Sequence, residues 1–409
     1  MPDPKTTSDH DATARARRLA GDLARFPASI FQFDPRIRDG WLADRYFVRT
    51  IQTLRHAGRD PEVTMQVFSK SYGIVAGIYE SVRMLETQLT AGYEPRHLRI
   101  ECLLEGEDVE PWETVMLVTG PYRAFAHLET TMLGVLARRS LVATNVRRTM
   151  DAAGGKPVIF MAPRHDDWRV QTPDGYAALV GGARSVSSDA GGAWWGARGV
   201  GTMPHALIAA FDGDVVEATL AFTRYVREHE PDVAIVSLVD YDNDVIRDSL
   251  AVARAMKAAF GAGVLSGVRV DTSEKIIDRS LIEDEEFWGL ETLTGVNPPL
   301  VRRLRDALDE GGFEGVGIVV SGGLNPAKIR RFEQGGVPIA AYGVGSSLLG
   351  HNDGAHGLLN GFDYTADVVE LNGRPESKVG RRKRPNPRLC RVDPALLEPP
   401  VLTKDPGEV

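Results

Sequence analysis

The sequence predicts an α/β protein: an irregular α/β barrel with an N-terminal α+β domain that is joined by C-terminal strands. Three patterns carry this reading. Short runs that are apolar throughout recur after residue 155 with helical stretches between them, as in a parallel sheet covered on both faces. Several of those runs end in a polar residue, Asp240, Asp271 or Ser321, which puts chemistry on one rim and favours a closed barrel over an open sheet. Ahead of residue 125 and beyond residue 355 the alternation is that of helices mixed with antiparallel strands.

Residues 1–24 are charged and lack strong periodicity until Leu19, so a mobile leader followed by a short helix is expected. The N-terminal domain, 25–124, holds a helix after Trp41, a strand near Val63–Ser69 and a second helix from Tyr72 onward. Gly106 and Gly120 bracket a stretch, Asp108 to Val118, that reads as strand, turn, strand. Leu128, Met132, Leu133, Leu136 and Leu141 recur at helical spacing and predict a buried helix over 125–143. That helix opens a barrel domain spanning 125–355. Its doubly buried strands are read at 158–161, 233–239, 267–270, 317–320 and 339–343. In the last segment, 356–409, Asn372-Gly373 follows an alternating run and signals a hairpin whose strands rejoin the first domain.

With 48 basic and 56 acidic residues the net charge is −8, which argues against a general binder of nucleic acid or membrane surfaces but allows local basic pockets. Cys102 and Cys390 are the only cysteines. They support neither a disulfide framework nor a four-thiolate zinc site, and a reducing cytoplasm is the simpler expectation. No 18-residue apolar run and no signal-peptide core occur.

The residues suited to chemistry cluster at the predicted strand ends. In Gly201-Thr202-Met203-Pro204-His205 an imidazole stands where an apolar helix begins, so His205 is expected to be neutral and to face an anion. Ser321-Gly322-Gly323 and Gly343-Val344-Gly345-Ser346 each follow a strand, and paired glycine turns let backbone N–H groups cradle a phosphate. Asp240 and Asp271 suit ribose hydroxyls or Mg2+, directly or through water. Asp242 and Asp244 read as turn and cap residues. Arg164 and Arg169 offer planar forks for a carboxylate or phosphate, whereas His165 reads as a satisfied surface residue. Trp194 and Trp195 read as packing anchors, and Arg381-Arg382-Lys383-Arg384 as a solvated run.

The order of these motifs resembles the nicotinate phosphoribosyltransferase family, among the type II phosphoribosyltransferases that include the quinolinate enzymes. The resemblance runs from Asp44-Arg45-Tyr46 through Gly120-Pro121-Tyr122, Leu128-Glu129-Thr130, Arg164, Gly181-Gly182 and Ser187. It continues through the His205 segment, Asp240-Tyr241-Asp242, Gly267-Val268-Arg269-Val270-Asp271 and both glycine turns to Asn372-Gly373-Arg374-Pro375 and Lys378. It implies a cytoplasmic homodimer with shared active sites that joins nicotinate to phosphoribosyl pyrophosphate in NAD biosynthesis, with Mg2+ and coupled ATP hydrolysis, an activity of the ligase type. It also implies a phosphorylatable His205, a phosphate cradle at Gly322, Gly323, Gly343, Gly345 and Ser346, and ribose or metal contacts at Asp240 and Asp271. Arg164, Ser187 and Ser321 would line the pocket, and Tyr46 of the neighbouring subunit would pack on the pyridine ring. Departures at Arg164-His165-Asp166-Asp167 and Arg184 keep two alternatives open. One is transfer to quinolinate, nicotinamide or another heteroaromatic base, and the other is a catalytically silent phosphosugar-binding relative.

Overall fold

A computed structural model describes residues 4–282, 293–350 and 357–397, with side chains from residue 12. It divides into two units, 1–144 with 361–409, and 145–360.

Where a leader followed by a short helix is expected, one helix spans Pro4–Arg25. Leu19 and Leu23, one helical turn apart, are both fully buried, while Arg15 pairs with Glu107 at 2.5 Å and Asp22 accepts from the Tyr79 hydroxyl at 2.7 Å. A four-residue apolar spacing too short to register as periodicity thus suffices to dock the segment.

The first unit then forms the helix Arg45–His56 and strands β1 (Glu62–Ser69), β2 (Gly73–Ile74), β3 (Arg99–Cys102), β4 (Asp108–Val109) and β5 (Thr114–Pro121). The second helix begins at Ile78 rather than Tyr72, because Gly73 and Ile74 are taken into a two-stranded ladder with β4. Gly77, at φ +92°, makes the turn into that helix. The buried Glu105 carboxyl group accepts from the Gly77 and Tyr79 N–H groups at 3.0 and 3.1 Å and so caps it. The long buried helix spans Glu129–Ala152, later at its start and longer than the leucine spacing indicated, and the division between units falls within it.

The second unit contains β6 (Val158–Phe160), β7 (Ser185–Val186), β8 (Ile235–Leu238), β9 (Leu265–Val270), β10 (Gly317–Val320) and β11 (Ala341–Val344). They form one parallel sheet in the order β7-β6-β11-β10-β9-β8. The barrel is therefore a half-barrel: among the described residues β7 and β8 share no ladder. Between them the chain forms the short helices Asp189–Gly192 and His205–Ala209 and the helix Val215–His229, not closing strands. Val268, Ile318 and Tyr342 fill the sheet's core. The helix Pro298–Glu310 buries Leu300, Val301, Leu304 and Leu308 along one stripe, each such burial contributing about 1.5–3 kcal/mol. Because the strands are parallel, the segments after all of them emerge on one side, and every glycine turn and strand-end acid lies there.

Beyond residue 360 the chain is again part of the first unit. Strand β12 (Tyr364–Leu371) pairs antiparallel with β1, turns at Asn372 and Gly373 (φ 48° and 73°) into β13 (Arg374–Pro375), and β14 (Cys390–Arg391) pairs with β3 at the sheet edge. The two positive φ values are those of the hairpin turn that Asn-Gly favours.

Candidate active site

The strand ends of the second unit surround a cavity of about 490 Å³. Its lining includes Arg164, Ser187, Asp271, Ser321, Gly322, Gly323, Gly343, Gly345 and Ser346, nine of the residues singled out from sequence. After β10 the chain turns at Gly322 (φ +87°) and Gly323 (φ +57°) and enters the helix Pro326–Gln334, whose cap Asn325 accepts from the Lys328 N–H at 3.0 Å. Asp271, at the end of β9, accepts from the Ser321 hydroxyl at 2.8 Å, which holds its carboxylate against the turn. The second turn is tied to the first, since the Ser347 hydroxyl donates to the Leu324 carbonyl at 2.8 Å. A Cβ at Gly345 would lie 2.8 Å from His165 Nε2, and one at Gly343 would lie 2.6 Å from the Met161 sulfur. Only glycine leaves this floor open.

At the neighbouring strand end, His205 Nε2 lies 3.2 Å from an oxygen of the nearly buried Asp240. The carboxylate partner, more than the helix start, sets the surroundings of this imidazole. The helix His205–Ala209 is too short to develop much dipole, and the Asp240 carboxylate raises the His205 pKa, with Asp271 adding to the effect and burial opposing it.

Two lining residues went unassigned from sequence. Arg269 on β9 faces the cavity with its Nε buried and without a hydrogen-bond partner. Burial holds its guanidinium below the usual range, Asp271 and Asp240 pull it back up, and Arg164 pushes it down again. Its signal was present in the strand period, which puts residues 269 and 271 on one face. His165 was read as a surface or satisfied polar residue with no pocket role, and the turn Pro163–His165 after β6 carries it over the Gly345 loop.

A profile described as "Quinolinate phosphoribosyl transferase, N-terminal domain" matches residues 44–140. Over 373 residues the chain is 29% identical to a nicotinate phosphoribosyltransferase, pncB1, of Mycobacterium tuberculosis, covering 83% of this chain and 74% of that one. It is 24% identical to the Bacillus subtilis nicotinate phosphoribosyltransferase, covering 77% and 65%. The crystal structure of a nicotinate-nucleotide pyrophosphorylase from Pyrococcus furiosus superposes with a TM-score of 0.69 at 28% identity, covering 91% and 86% of the two chains. In sequence and in fold the chain is similar to nicotinate and quinolinate phosphoribosyltransferases. The human nicotinic acid phosphoribosyltransferase shares the fold, with a TM-score of 0.60 at 19% identity over 84% of this chain and 77% of that one.

The remaining sequence candidates are not among the residues that line the cavity. Tyr46 belongs to the first unit, largely exposed, and its hydroxyl donates to Asp44 at 3.2 Å. Asp244 caps the helix Val245–Phe260 and Asp242 pairs with Arg247 at 2.7 Å, the structural roles read for them. Arg169 is held by Asp167 at 3.0 Å and lies over Trp168, outside the lining. Trp194 packs on Tyr176. The basic run is not simply solvated: Arg381 and Arg384 lie over the stacked Phe68 and Trp112 rings, and Lys383 pairs with Glu370 at 3.0 Å. Among the described residues no group of three or more His, Cys, Asp or Glu side chains could hold a metal.

Proposed function

We propose that the protein transfers the phosphoribosyl group of 5-phosphoribosyl 1-pyrophosphate to nicotinate, giving nicotinate mononucleotide and pyrophosphate in NAD salvage. The observation that carries this reading is the convergence of both glycine turns, Asp271, Arg164 and Arg269 on one cavity, with the His205–Asp240 pair at the adjoining strand end. In the reaction the pyridine nitrogen lone pair attacks ribose C1, the C1–O bond to pyrophosphate breaks, and that electron pair leaves on pyrophosphate. No proton moves, so the site needs no general base. Its tasks are to hold the reactants in line and to match charge. The Gly322–Gly323 and Gly343–Gly345 turns with Ser346 hold the 5-phosphate, and Asp271 and Asp240 face the ribose, where positive charge develops. Arg164 and Arg269 receive the nicotinate carboxylate or the departing pyrophosphate, and Ser187 lines the base side.

Carboxylate oxygens are the hard donors that Mg2+ takes alongside water and substrate phosphates. Asp240 and Asp271 would hold it, and it would neutralise pyrophosphate charge. ATP coupling through His205 belongs to the same proposal. If Asp240 accepts from Nε2–H, Nδ1 carries the lone pair that takes a phosphoryl group. We further propose a cytoplasmic homodimer in which the neighbour's Tyr46 packs on the pyridine ring. No helix among the described residues is long and apolar enough to cross a membrane.

Pyrophosphate release that requires nicotinate and phosphoribosyl pyrophosphate together is the expected result. Arg164 is close enough to Arg269 to perturb it, and both line the cavity, a guanidinium pair that also suits a dicarboxylate such as quinolinate. A base panel decides: turnover with quinolinate and none with nicotinate replaces the first reading with the second. Tight binding of phosphoribosyl pyrophosphate without turnover on any base leaves a silent relative.

A further inference from the structure

The two cysteines of the chain, distant in sequence, face one another in the fold. Cys390 on the edge strand β14 is the direct ladder partner of Cys102 on β3, and both are present as buried thiols. The Val392 N–H donates to the Ile100 carbonyl at 2.9 Å, which sets the phase of the ladder and makes Cys390 and Cys102 a hydrogen-bonded pair. Directly opposed residues project to the same face, and the Cα atoms of such pairs stand about 5.5 Å apart, within the range a disulfide spans. Strand β14 is two residues long and lies at the sheet edge, so it can move inward to bring the sulfurs together.

Two further contacts bear on reactivity. The Arg15 guanidinium interacts with the Cys390 sulfur and also donates to the Arg388 carbonyl at 2.6 Å, so a cation stands beside this thiol. Cys102 is wholly buried, and burial, with Cys390 as the next cause, pushes its pKa up. Cys390 is accordingly the attacking group and Cys102 the resolving one.

We propose that Cys102 and Cys390 form a reversible oxidation site that closes to a cross-strand disulfide when the oxidant is a small disulfide of the glutathione class. The Cys390 thiolate attacks one sulfur of the oxidant, forming a mixed disulfide and releasing one thiol. The Cys102 thiolate then attacks the Cys390 sulfur and expels the second. Two protein thiols are oxidised by two electrons, one small disulfide is reduced to two thiols, and the two protons go to those thiols. The bridge ties the last described strand to β3 and closes a loop that includes the entire second unit, a long loop whose closure restrains the unfolded chain strongly.

The test uses the full chain treated with oxidised glutathione, quenched in acid and compared with the reduced protein. The intact mass falls by two hydrogens, a non-reducing digest yields one peptide pair joining Cys102 to Cys390, and dithiothreitol reverses both. The thermal midpoint rises by about 5 °C on oxidation. Cys102→Ala retains a single glutathionyl adduct on Cys390, whereas Cys390→Ala takes up none. Should either variant fail to fold, the digest of the unaltered chain decides alone. An unchanged mass with both thiols still alkylated after unfolding, a bridge found only between two chains, or an adduct confined to Cys102 overturns the proposal. Bridge formation without a thermal shift overturns the tie between β14 and β3. None of these results depends on which reaction the cavity catalyses.

Discussion

At the scale of single residues the site is governed by which charges are compelled to share space. Asp240 raises the His205 pKa above the usual 6.5, so the imidazole keeps its proton to higher pH than a solvated histidine. A phosphoryl acceptor must be unprotonated, and the coupled ATPase should therefore rise with pH along a limb set by that raised value. Asp240→Asn removes the carboxylate and should move the limb to lower pH, which a pH profile of ATP hydrolysis measures; an unmoved limb would separate His205 from the coupling. A second carboxyl is perturbed in the opposite surroundings. Burial raises the Glu105 pKa from 4.5 to about 8, with the Tyr79 and Gly77 N–H groups offsetting part of the rise. Between those values the unfolded chain releases the proton and the folded chain retains it, so stability falls as pH rises through the window, by on the order of a few kcal/mol at its upper end. Glu105→Gln keeps an oxygen to accept from the same N–H groups and removes the titration. Its thermal midpoint should vary less between pH 5 and 8 than that of the unaltered chain.

Elements explain what the sequence disclosed and what it hid. The strands from β6 to β11 were legible wherever several apolar residues ran together, because a strand buried on both faces cannot carry polar ones. Strand β7 was not, since Ser185–Val186 is too short to show any period. The same brevity concealed the open edge of the half-barrel, whose closing segment has helices in place of strands. Arg269 was hidden by expectation, because a buried arginine inside an apolar strand reads as part of a motif until its shared face with Asp271 is considered. Cys102 and Cys390 could not have been paired from spacing, which carries no register between strands so far apart. The glycine turns were legible as turns, and their packing now makes them specific. Gly345→Ala sets a methyl group against His165 Nε2 and the Met161 carbonyl, at 2.8 and 3.3 Å. Either the His165 ring swings aside or the turn shifts away from it, and in both cases the phosphate cradle is altered. The KM for phosphoribosyl pyrophosphate should rise at least about tenfold, a loss near 1.4 kcal/mol of binding, while the KM for nicotinate changes much less. Equal rises in both would place Gly345 in the support of the whole pocket instead of the phosphate cradle.

For the whole molecule the proposed homodimer turns on Tyr46, an exposed aromatic of the first unit. The Tyr46 ring stands largely in water on a helix that also carries the buried Phe47 and Ile51. In the proposed homodimer it packs on the base held by a neighbouring copy. Two variants make the arrangement measurable: Tyr46→Ala, which removes the ring, and Asp271→Ala, which removes the ribose contact. Each alone should lose most transfer activity. Mixed, denatured together and refolded, they form heterodimers with one site built from unaltered parts and one carrying both changes. Random pairing makes half of the dimers mixed, so activity should recover to roughly a quarter of the unaltered protein. No recovery beyond the sum of the two separate variants would mean that Tyr46 serves the cavity of its own chain or serves none.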